Sequence, residues 1–599
     1  MSASASHRHV LAKSFILVFS DSPWNLEKED VGKALGTQPA WRMLASEDRR
    51  MVLIFAERTA SPWSSTAAAN AGLLRMIHGD PSEFEEERGE PALANGALLE
   101  FDFEKKSVKA LASIVGLPPL FLYEGEGHRI LSSDLHSIAM LSPSGLQFDL
   151  EGVLDLCMYG FPVENRTLFR NARLVSGGAS LKVSAEGVEW KRAWSFHDPE
   201  PLPDWKTYTQ LQMEMFLSAL RRMELRDSFL SLTAGLDTRT IFSALLSEDR
   251  PIPAYTLSGE SPSLDARTAR ALCQAYRVPH EIVALDREFL RNLAEYTVEA
   301  SKLSGGLASL GQSHQIHLYR KLPRSYATRV SGNMGNQLGR GGVEHVSMRA
   351  GDPAVLNSDL RKRIPERPRF AWTDPRTGEP VPTSHEFLFQ KEFPFTQLGN
   401  YSIGHHFAIQ QSPYASRDMI GTCYRQPYRS EGANSVSPLR LRLSDLRHRF
   451  LGESEVYSFQ RLLIHRVGGF AAAYPINWGW RAKGGVSLAG LFRGALTIAD
   501  AYTERAGWDS GLRGKALRAL HITGLHEHRK PKQWLRDSLR EFVRDTLLST
   551  EIRNAGVLDV ANVSRMLDEH YSDRAPHHRA LVLALDLALA TKNFRAKLA

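Results

Sequence analysis

Strand-like and helix-like segments alternate through the middle of the chain, and this alternation restricts the fold more than any other feature. Apolar residues at Leu211, Met215, Phe216 and Leu220 have the spacing of an α-helix within residues 208–223. Extended runs follow at 229–232, 254–257 and 281–283, with a helical stretch at 266–276 between the last two. Strands that alternate with helices form parallel sheets. The sequence therefore predicts a doubly wound α/β parallel sheet, with a mainly helical part beyond about residue 350.

The first third of the chain has a different pattern, in which short β-rich runs at 15–19, 51–55 and 98–101 are separated by loops. This pattern predicts a sheet-rich α+β front domain. Residues 196–203 contain three prolines together with acidic residues, which is typical of a linker. A chain of 599 residues is also too long for one ordinary core. We therefore expect a front domain at 1–195 and a second domain at 206–599.

Composition indicates a globular protein, since 43% of the residues are apolar and 24% are charged. Cys157, Cys273 and Cys423 lie far apart and form no CxxC pair, so neither a disulfide framework nor a zinc site is indicated. A reducing cytoplasm is the expected location. The longest apolar stretch, 580–590, is interrupted by Asp586 and is shorter than the roughly 20 residues that span a bilayer. We therefore expect no contact with a membrane.

A loop rich in small and hydroxyl residues links the strand at 229–232 to the next helix. Its sequence is Ser231-Leu232-Thr233-Ala234-Gly235-Leu236-Asp237-Thr238. Small residues let backbone amides approach a phosphate at the start of a helix, and threonine hydroxyls add donors. Asp237 supplies the carboxylate oxygen that Mg²⁺ prefers. The alternative is a plain strand-to-helix turn with an aspartate near the helix start.

This loop resembles the SGGLDS pyrophosphate loop of asparagine synthetases and related ATP pyrophosphatases. Threonine replaces serine at 233 and 238, and Ala234 replaces a glycine, which requires a backbone angle that an L-residue tolerates. The resemblance implies that Ser231, Thr233, Ala234, Gly235, Asp237 and Thr238 bind ATP and its pyrophosphate. It extends to residues 256–259, where Ser258 would contact the nucleotide, and to Asp265, Ala266, Ala269 and His280 in the following helix and strand.

The resemblance resumes at residues 330–342, which are similar to the SGxGxDExFGG segment that closes over the nucleotide in that family. It implies nucleotide contacts by Ser331 and Gly332. The usual Asp-Glu pair is replaced here by Asn336 and Gln337, which keep the shape but lose both negative charges. An amide oxygen is still a weaker ligand for Mg²⁺, so Asn336 joins Asp237 as a metal candidate. A glycine-rich surface loop is the alternative.

A second basic segment is similar to the RxKxGF stretch that carries the catalytic lysine of the same family. Arg481-Ala482-Lys483-Gly484-Gly485 lacks only the phenylalanine. The resemblance makes Lys483 the candidate that stabilises the oxyanion of a tetrahedral intermediate; the alternative is a solvated lysine. Lys532, Arg536, Arg540 and Arg544 are spaced by four, which predicts one basic face of an amphipathic helix. No RNA-binding signature accompanies them, and no nucleic-acid partner is expected.

The front domain resembles a class II glutamine amidotransferase, a four-layer fold of the Ntn type. The residues that carry this resemblance are 118–123, 129–135, 167–169 and 174–178. Glutamine hydrolysis in that family requires a cysteine directly after the initiator methionine. This chain begins Met1-Ser2-Ala3, and its first cysteine is Cys157. We therefore expect a degenerate front domain that releases no ammonia, the pattern of β-lactam synthetases and lasso-peptide cyclases.

Taken together, the resemblances imply an ATP-dependent ligase that forms an acyl-adenylate and lets an amine of the substrate attack it. ATP and Mg²⁺ are the implied ligands, and a small molecule or peptide with a carboxylate and an amine is the implied substrate. A partner protein that delivers a precursor peptide would fit this scheme. Three alternatives remain open: an asparagine synthetase using glutamine or ammonia, a non-catalytic nucleotide-binding or scaffold protein, and a tRNA-modifying ATP pyrophosphatase, against which the front domain argues.

Overall fold

The structure is a computed structural model. It describes residues 9–24, 41–57, 73–79, 95–125, 127–142, 145–194, 200–259, 262–335, 352–364, 393–423, 425, 458–476, 480–483, 485–486 and 531–598. Within these ranges a mainly antiparallel sheet occupies the first third of the chain, and a parallel sheet with helices follows. This division confirms the prediction of an α+β part followed by an α/β part. Across the same ranges, no helix has the length and apolar character needed to cross a membrane.

The front sheet has eleven strands, in the order β11-β10-β6-β5-β4-β1-β8-β7-β9, with β3 paired to β1 and β2 to β3. All of its pairs are antiparallel except that of β1 with β4. The strands are β1 (His9–Ser20), β2 (Trp41–Ala45), β3 (Met51–Glu57), β4 (Leu73–Gly79), β5 (Gly96–Asp102), β6 (Ser107–Leu111), β7 (Phe121–Gly125), β8 (His128–Ser132), β9 (Ala172–Leu174), β10 (Ala179–Ser184) and β11 (Val188–Arg192).

Strand β1 divides this sheet into two halves. Its first residues pair with β4 and its last residues with β8, and the register shifts between Ala12 and Ser14. One apolar cluster takes Leu17 from β1 together with Met76 and Phe101 from β4 and β5. The same cluster includes Leu122 of β7 and Leu131 of β8, so the two halves share one apolar core. Two helices, α1 (Leu135–Leu141) and α2 (Leu150–Tyr159), follow β8 and cover the other face of the β1–β8 pair.

Five parallel strands form the second sheet, in the order β14-β13-β12-β15-β16. They are β12 (Ser228–Ser231), β13 (Ala254–Ser258), β14 (His280–Ala284), β15 (Thr328–Val330) and β16 (Ile409–Gln411). The first three match the predicted extended runs to within a residue or two. Strand β16 was not predicted, because it has only three residues and lies in a part of the chain that is otherwise helical.

Helices surround this sheet and form most of the remaining structure. Before residue 424 these are α3 (Trp205–Arg222), α4 (Leu236–Ser247), α5 (Leu264–Tyr276), α6 (Arg287–Arg291), α7 (Leu293–Leu303), α8 (Ser313–Lys321), α9 (Ser358–Arg363), α10 (Phe393–Phe407) and α11 (Arg417–Cys423). Later come α12 (Ser458–Val467), α13 (Gly469–Ala473), α14 (Pro531–Gln533), α15 (Arg540–Leu547), α16 (Thr550–Ala555), α17 (Val560–Tyr571) and α18 (His578–Phe594), with the short strands β17 (Trp480–Arg481) and β18 (Gly485–Val486).

The predicted basic helix face is not continuous. A π-helical turn, Trp534–Ser538, separates α14 from α15 and shifts the register of the side chains. Arg536 lies within 4 Å of two acidic groups, Arg544 pairs with Asp568, and the guanidinium of Arg540 lies over the ring of Tyr571. These paired charges are typical of a solvated helical surface.

Residues 594–597 pack against the segment that links α1 to α2. Leu146 and Phe148 donate backbone hydrogen bonds to the carbonyl groups of Phe594 and Lys597, at 3.2 and 2.9 Å. The ring of Phe594 also lies 4.7 Å from that of Phe169. One apolar core runs through residues of both sheets and of α18. The boundary at 196–206 stays a prediction, since residues 195–199 lie outside the described ranges.

Candidate functional site

The strand order places a topological switch point between β12 and β15. Connections from β12 lead to β13 on one side, whereas β15 and β16 lie on the other side. In open α/β sheets, ligands bind at the carboxyl ends of the strands where the order reverses. The two loops that the sequence associates with ATP follow β12 and β15 directly. The fold therefore brings together two segments that lie about a hundred residues apart.

The loop after β12 is closed by hydrogen bonds among its own residues. The hydroxyl oxygens of Thr233 and Thr238 lie 2.9 Å apart, and the Thr238 oxygen also accepts the backbone N–H of Thr233. The N–H of Gly235 donates to the hydroxyl of Thr233 at 3.2 Å. Ala234 is buried and has no positive φ, so the alanine fits without strain. The departure from glycine at 234 therefore carries no backbone penalty.

Helix α4 begins at this loop without a side-chain cap. Gly235 is its N-cap residue and has no side chain that can accept from the first-turn amides. Asp237 lies in the first turn, where a negative charge interacts favourably with the helix dipole. The first turn of this twelve-residue helix thus faces the switch point, and no side chain of the N-cap residue binds its amides. This arrangement suits an anion.

Asp265, in the first turn of α5, adds a second carboxylate to the loop. Its Oδ1 accepts the backbone N–H of Ala234 at 2.8 Å. Sequence reasoning placed Asp265 only in the helix pattern that follows the loop. The contact has two consequences: the amide of Ala234 is already engaged, and a carboxylate oxygen is present beside the loop that carries Asp237. Both carboxylates are of the oxygen type that Mg²⁺ prefers.

The loop after β15 packs directly on the start of α4. A Cβ atom at Gly332 would lie 2.8 Å from Cβ of Asp237 and 3.2 Å from the backbone nitrogen of Thr238. A Cβ atom at Gly335 would lie 2.4 Å from Cγ of Asp237. Between them Met334 adopts a positive φ of 70°, and the N–H of Gly335 returns to the carbonyl of Gly332. These two glycines are needed because any side chain would displace Asp237.

Tyr414 and Gln460 fix Asp237 from the other side. The amide nitrogen of Gln460 donates to Oδ1 of Asp237 and to the hydroxyl of Tyr414, both at 2.8 Å. The Tyr414 hydroxyl donates to the backbone carbonyl of Asp237 at 3.1 Å. Burial, and then the charge of Asp237, raise the pKa of Tyr414 well above its ordinary value, so its hydroxyl keeps its proton. No sequence motif marks either residue.

The three predicted serines lie around the same edge of the sheet. Ser231 ends β12 and accepts from Arg329 at 3.3 Å, and Ser258 ends β13 and accepts the N–H of Ser263 at 2.9 Å. Ser331 follows β15 and is buried, and its hydroxyl has no hydrogen-bond partner in the described part of the chain. The amide oxygen of Gln460 is also buried and has no hydrogen-bond partner among the described residues. Buried polar atoms of this kind call for a ligand or water.

Lys483 lies at the turn between β17 and β18, and its side chain is exposed. The neighbouring Ala482 belongs to a small apolar cluster with Leu236, the first residue of α4. Farther along α4, Arg239 is buried and donates to the carbonyl groups of Tyr474 and Pro475. The hairpin that carries Lys483 is therefore anchored to the helix that carries Asp237. Asn336 and Gln337 lie outside the described residues.

The front domain has no nucleophilic thiol in its described part. All three cysteines of the chain are buried and none forms a disulfide, and burial raises the pKa of the Cys157 thiol to about 12. A thiol with such a pKa does not act as a nucleophile near neutral pH. Met1 and Ser2 lie outside the described residues. The prediction that this chain hydrolyses no glutamine therefore rests on the sequence and on the burial of Cys157.

The chain matches no protein-family model and no curated protein. Among solved structures, the glutamine phosphoribosylpyrophosphate amidotransferase from B. subtilis, complexed with ADP and GMP, is 9% identical with a TM-score of 0.21; the match covers 45% of this chain and 65% of that one, less than two thirds of its length.

Two further solved structures are similar at the same level. An allosteric regulatory enzyme of purine biosynthesis is 9% identical over 45% of this chain and 80% of that one, with a TM-score of 0.21. The NMN synthetase from Francisella tularensis is 12% identical over 39% and 98%, with a TM-score of 0.17. At these scores none of the three defines the fold of this chain, which rests on its own strand order and helices.

Proposed function

We propose that the chain is an ATP-dependent carbon–nitrogen ligase. The observation that carries this proposal is the meeting of two separate loops on Asp237 at the switch point of a parallel sheet. Gly332 and Gly335 approach its carboxyl group so closely that no side chain fits, and Gln460 holds Oδ1. A plain strand-to-helix turn needs no such enclosure of one aspartate. A site that positions a carboxylate in front of phosphate groups does.

In this proposal the first-turn amides of α4 and the hydroxyl groups of Thr233 and Thr238 bind the pyrophosphate portion of ATP. Ser231, Ala234 and Gly235 complete the loop, and Ser258, Ser331 and Gly332 frame the rest of the nucleotide. The buried, unpartnered hydroxyl of Ser331 supports the last assignment. Because three loop amides now bond within the protein, binding exchanges some of these contacts for contacts with phosphate.

The carboxylate of Asp237 fits a magnesium ion, since its position is fixed on both sides and Asp265 brings a second carboxylate to the loop. We assign Asp237 and Asn336 as the residues that hold Mg²⁺. When bound, Mg²⁺ neutralises charge on the pyrophosphate oxygens. The loss of the usual acidic pair at 336 and 337 is the feature that favours the second candidate function, a nucleotide-binding protein without catalysis.

The proposed reaction proceeds in two steps. A carboxylate oxygen of the substrate attacks the α-phosphorus of ATP, and pyrophosphate leaves as the acyl-adenylate forms. An amine nitrogen then attacks the acyl carbon, AMP leaves, and the nitrogen gives up a proton. Lys483 stabilises the negative oxygen of the tetrahedral stage, and the anchoring of its hairpin to α4, the helix that carries Asp237, supports this role.

We further propose that the substrate carries both the carboxylate and the amine, as in a macrolactam or β-lactam ring closure, because the front domain lacks an accessible thiol in its described part. A glutamine- or ammonia-dependent asparagine synthetase is the alternative. The front domain is then a degenerate amidotransferase-like unit in a cytoplasmic enzyme. A protein that delivers a precursor peptide is the partner this scheme calls for, and neither nucleic acid nor a membrane has a role in it.

Calorimetric titration with ATP and MgCl₂ tests the proposal. The wild type is expected to bind ATP, and Asp237→Ala is expected to remove binding or turnover while the chain stays folded, which denaturant unfolding would verify. Asp359→Ala is the matched control, since Asp359 also lies in the first turn of a helix, α9, is exposed and takes no part in the site. Undetectable binding to the wild type at millimolar ATP would exclude the ligase. Binding without exchange of labelled pyrophosphate, once a substrate is known, would favour the non-catalytic alternative.

A further inference from the structure

A separate cavity of about 350 Å³ lies between α5 and the edge strand β14. Its volume is at the lower end of the range for small-molecule pockets. It opens at the amino-terminal end of β14, whereas the loops of the proposed ATP site follow the carboxyl ends of β12 and β15. None of its lining residues belongs to that site. They are Arg270, Cys273, Gln274, Arg277, Val278, His280 and Ile282.

The charge at this cavity is uncompensated. Arg270 and Arg277 both line it, and neither has an acidic partner in the ranges that the structure describes. Some exposed arginines of the same half of the chain do have acidic partners: Arg221 pairs with Glu248 and Arg320 with Glu295. Two guanidinium groups without carboxylates leave donors available for an anion.

The spacing of the two arginines determines the shape of that anion. Arg270 lies within α5, and Arg277, seven residues later, is the left-handed residue that caps the end of this helix. At 1.5 Å per helical residue, their Cα atoms are about 10 Å apart. Gln274 lies between them, and Val278 and Ile282 give the cavity an apolar lining. One compact anion such as sulfate contacts one guanidinium well. A ligand with an anionic group at each end of a short apolar chain contacts both.

His280 contributes a neutral ring to the same cavity. Its Nε2 lies 2.9 Å from the hydroxyl of Thr256, and that hydroxyl donates to the carbonyl of Leu232 at 2.7 Å. Since the Thr256 proton is used there, Nε2 is the nitrogen that carries hydrogen. Burial, and then the charge of Arg270, lower the pKa of His280 to about 4. The arginines therefore supply the positive charge at neutral pH.

We propose that this cavity binds a small organic dianion, with one carboxylate or phosphate group on Arg270, another on Arg277 and a short apolar spacer over Val278 and Ile282. The cavity is independent of the ATP site, and the proposal stands whether or not the chain is a ligase.

Adipate, hexanoate and sulfate are the probes, titrated calorimetrically into the full chain at low ionic strength and pH 7.5. Adipate is expected to bind about tenfold more tightly than hexanoate, because its second carboxylate gains a second charge-assisted contact. Arg270→Gln and Arg277→Gln should each reduce adipate to the level of hexanoate. Arg267→Gln, an exposed arginine of the same helix outside the lining, removes the same charge and should change nothing.

Three outcomes would overturn the proposal. The first is equal binding of adipate and hexanoate, which would remove the need for two arginines. The second is equal loss in Arg267→Gln, which would reduce the effect to net charge. The third is sulfate binding as tight as that of adipate, which would remove the role of the apolar lining. All three substituted residues are exposed, so the variants should fold, and denaturant unfolding checks that they do.

Discussion

Replacement of Gly335 by alanine adds one methyl group beside the carboxylate of Asp237. The new Cβ would lie 2.4 Å from Cγ of Asp237 and 2.6 Å from its Oδ1. Gly335 has no positive φ, so the backbone itself accepts an alanine. The effect of the substitution is therefore steric, and it falls on the side chain that we propose positions Mg²⁺ and pyrophosphate.

The magnitude follows from these distances. Carbon atoms in contact lie about 3.5–4.0 Å apart, so Asp237 or the loop must move by about 1 Å. Overpacking of this size costs about 1–3 kcal/mol of stability. Displacement of a positioning group by about 1 Å lowers the rate on the order of 100-fold. A Cβ at Gly332 would lie 2.8 Å from Cβ of Asp237, so Gly332→Ala should have a smaller effect.

The assay is calorimetric binding of ATP with MgCl₂, together with pyrophosphate exchange when a substrate is available and denaturant unfolding for each variant. Gly311→Ala is the control, since a Cβ there would have no neighbour within 4 Å. The expected order of the effects is Gly335→Ala, then Gly332→Ala, then Gly311→Ala. A folded Gly335→Ala variant that binds ATP as the wild type does would refute the role given to the position of Asp237.

Three other substitutions have definite expected outcomes. Gln460→Met keeps the volume but removes the donor to Asp237, so ATP affinity should fall about 10- to 100-fold, the range for a hydrogen bond to a charged group; unchanged affinity would contradict the clamp. Lys483→Met should still bind ATP, while amide product falls about 100- to 1000-fold; near-normal product, or an equal loss in Lys532→Met, would remove Lys483 from the mechanism. Burial raises the pKa of Asp586 from 3.8 to about 7. Between these two values the folded chain keeps a proton that the unfolded chain releases. The free energy of unfolding should therefore fall by roughly 4 kcal/mol as pH rises from about 4 to 7. Asp586→Asn, which retains an acceptor for Ser309, should abolish that slope, and an unchanged slope would assign it to other groups.

The regular parts of the fold could be predicted because their patterns are local. The extended run predicted at 254–257 became β13, and the helical stretch at 266–276 became most of α5, with Ser263 as its cap. The run at 51–55 became β3. The π-helical turn at Trp534–Ser538 could not be predicted. The spacing of four between basic residues continues through it in the sequence, whereas the backbone departs from the α-helix there. Pairing of the first residues of β1 with β4 and of its last residues with β8 also depends on residues far along the chain.

The candidate site could be predicted only where its residues lie on motif-like loops. Thr233, Asp237 and Gly332 are on such loops, and the fold brings the loops into contact. Tyr414 and Gln460 follow Asp237 by 177 and 223 residues and lie in segments with no distinctive pattern. A buried tyrosine and a buried glutamine look like ordinary core residues in a sequence, and their role depends on which side chain they meet.

Attachment of α18 to the first third of the chain has a consequence for synthesis on the ribosome. Arg595 donates to the carbonyl of Ser142 at 2.7 Å, across 453 residues. At about 5–20 residues per second, Ser142 is synthesised roughly 20 to 90 seconds before Arg595. During that time the ring of Phe169 lacks the partner that Phe594 provides at 4.7 Å in the finished protein. Nascent chains of this protein are therefore expected to depend on chaperones until Phe594 and Arg595 have been synthesised, and truncation before Phe594 should cause aggregation before it affects any chemistry.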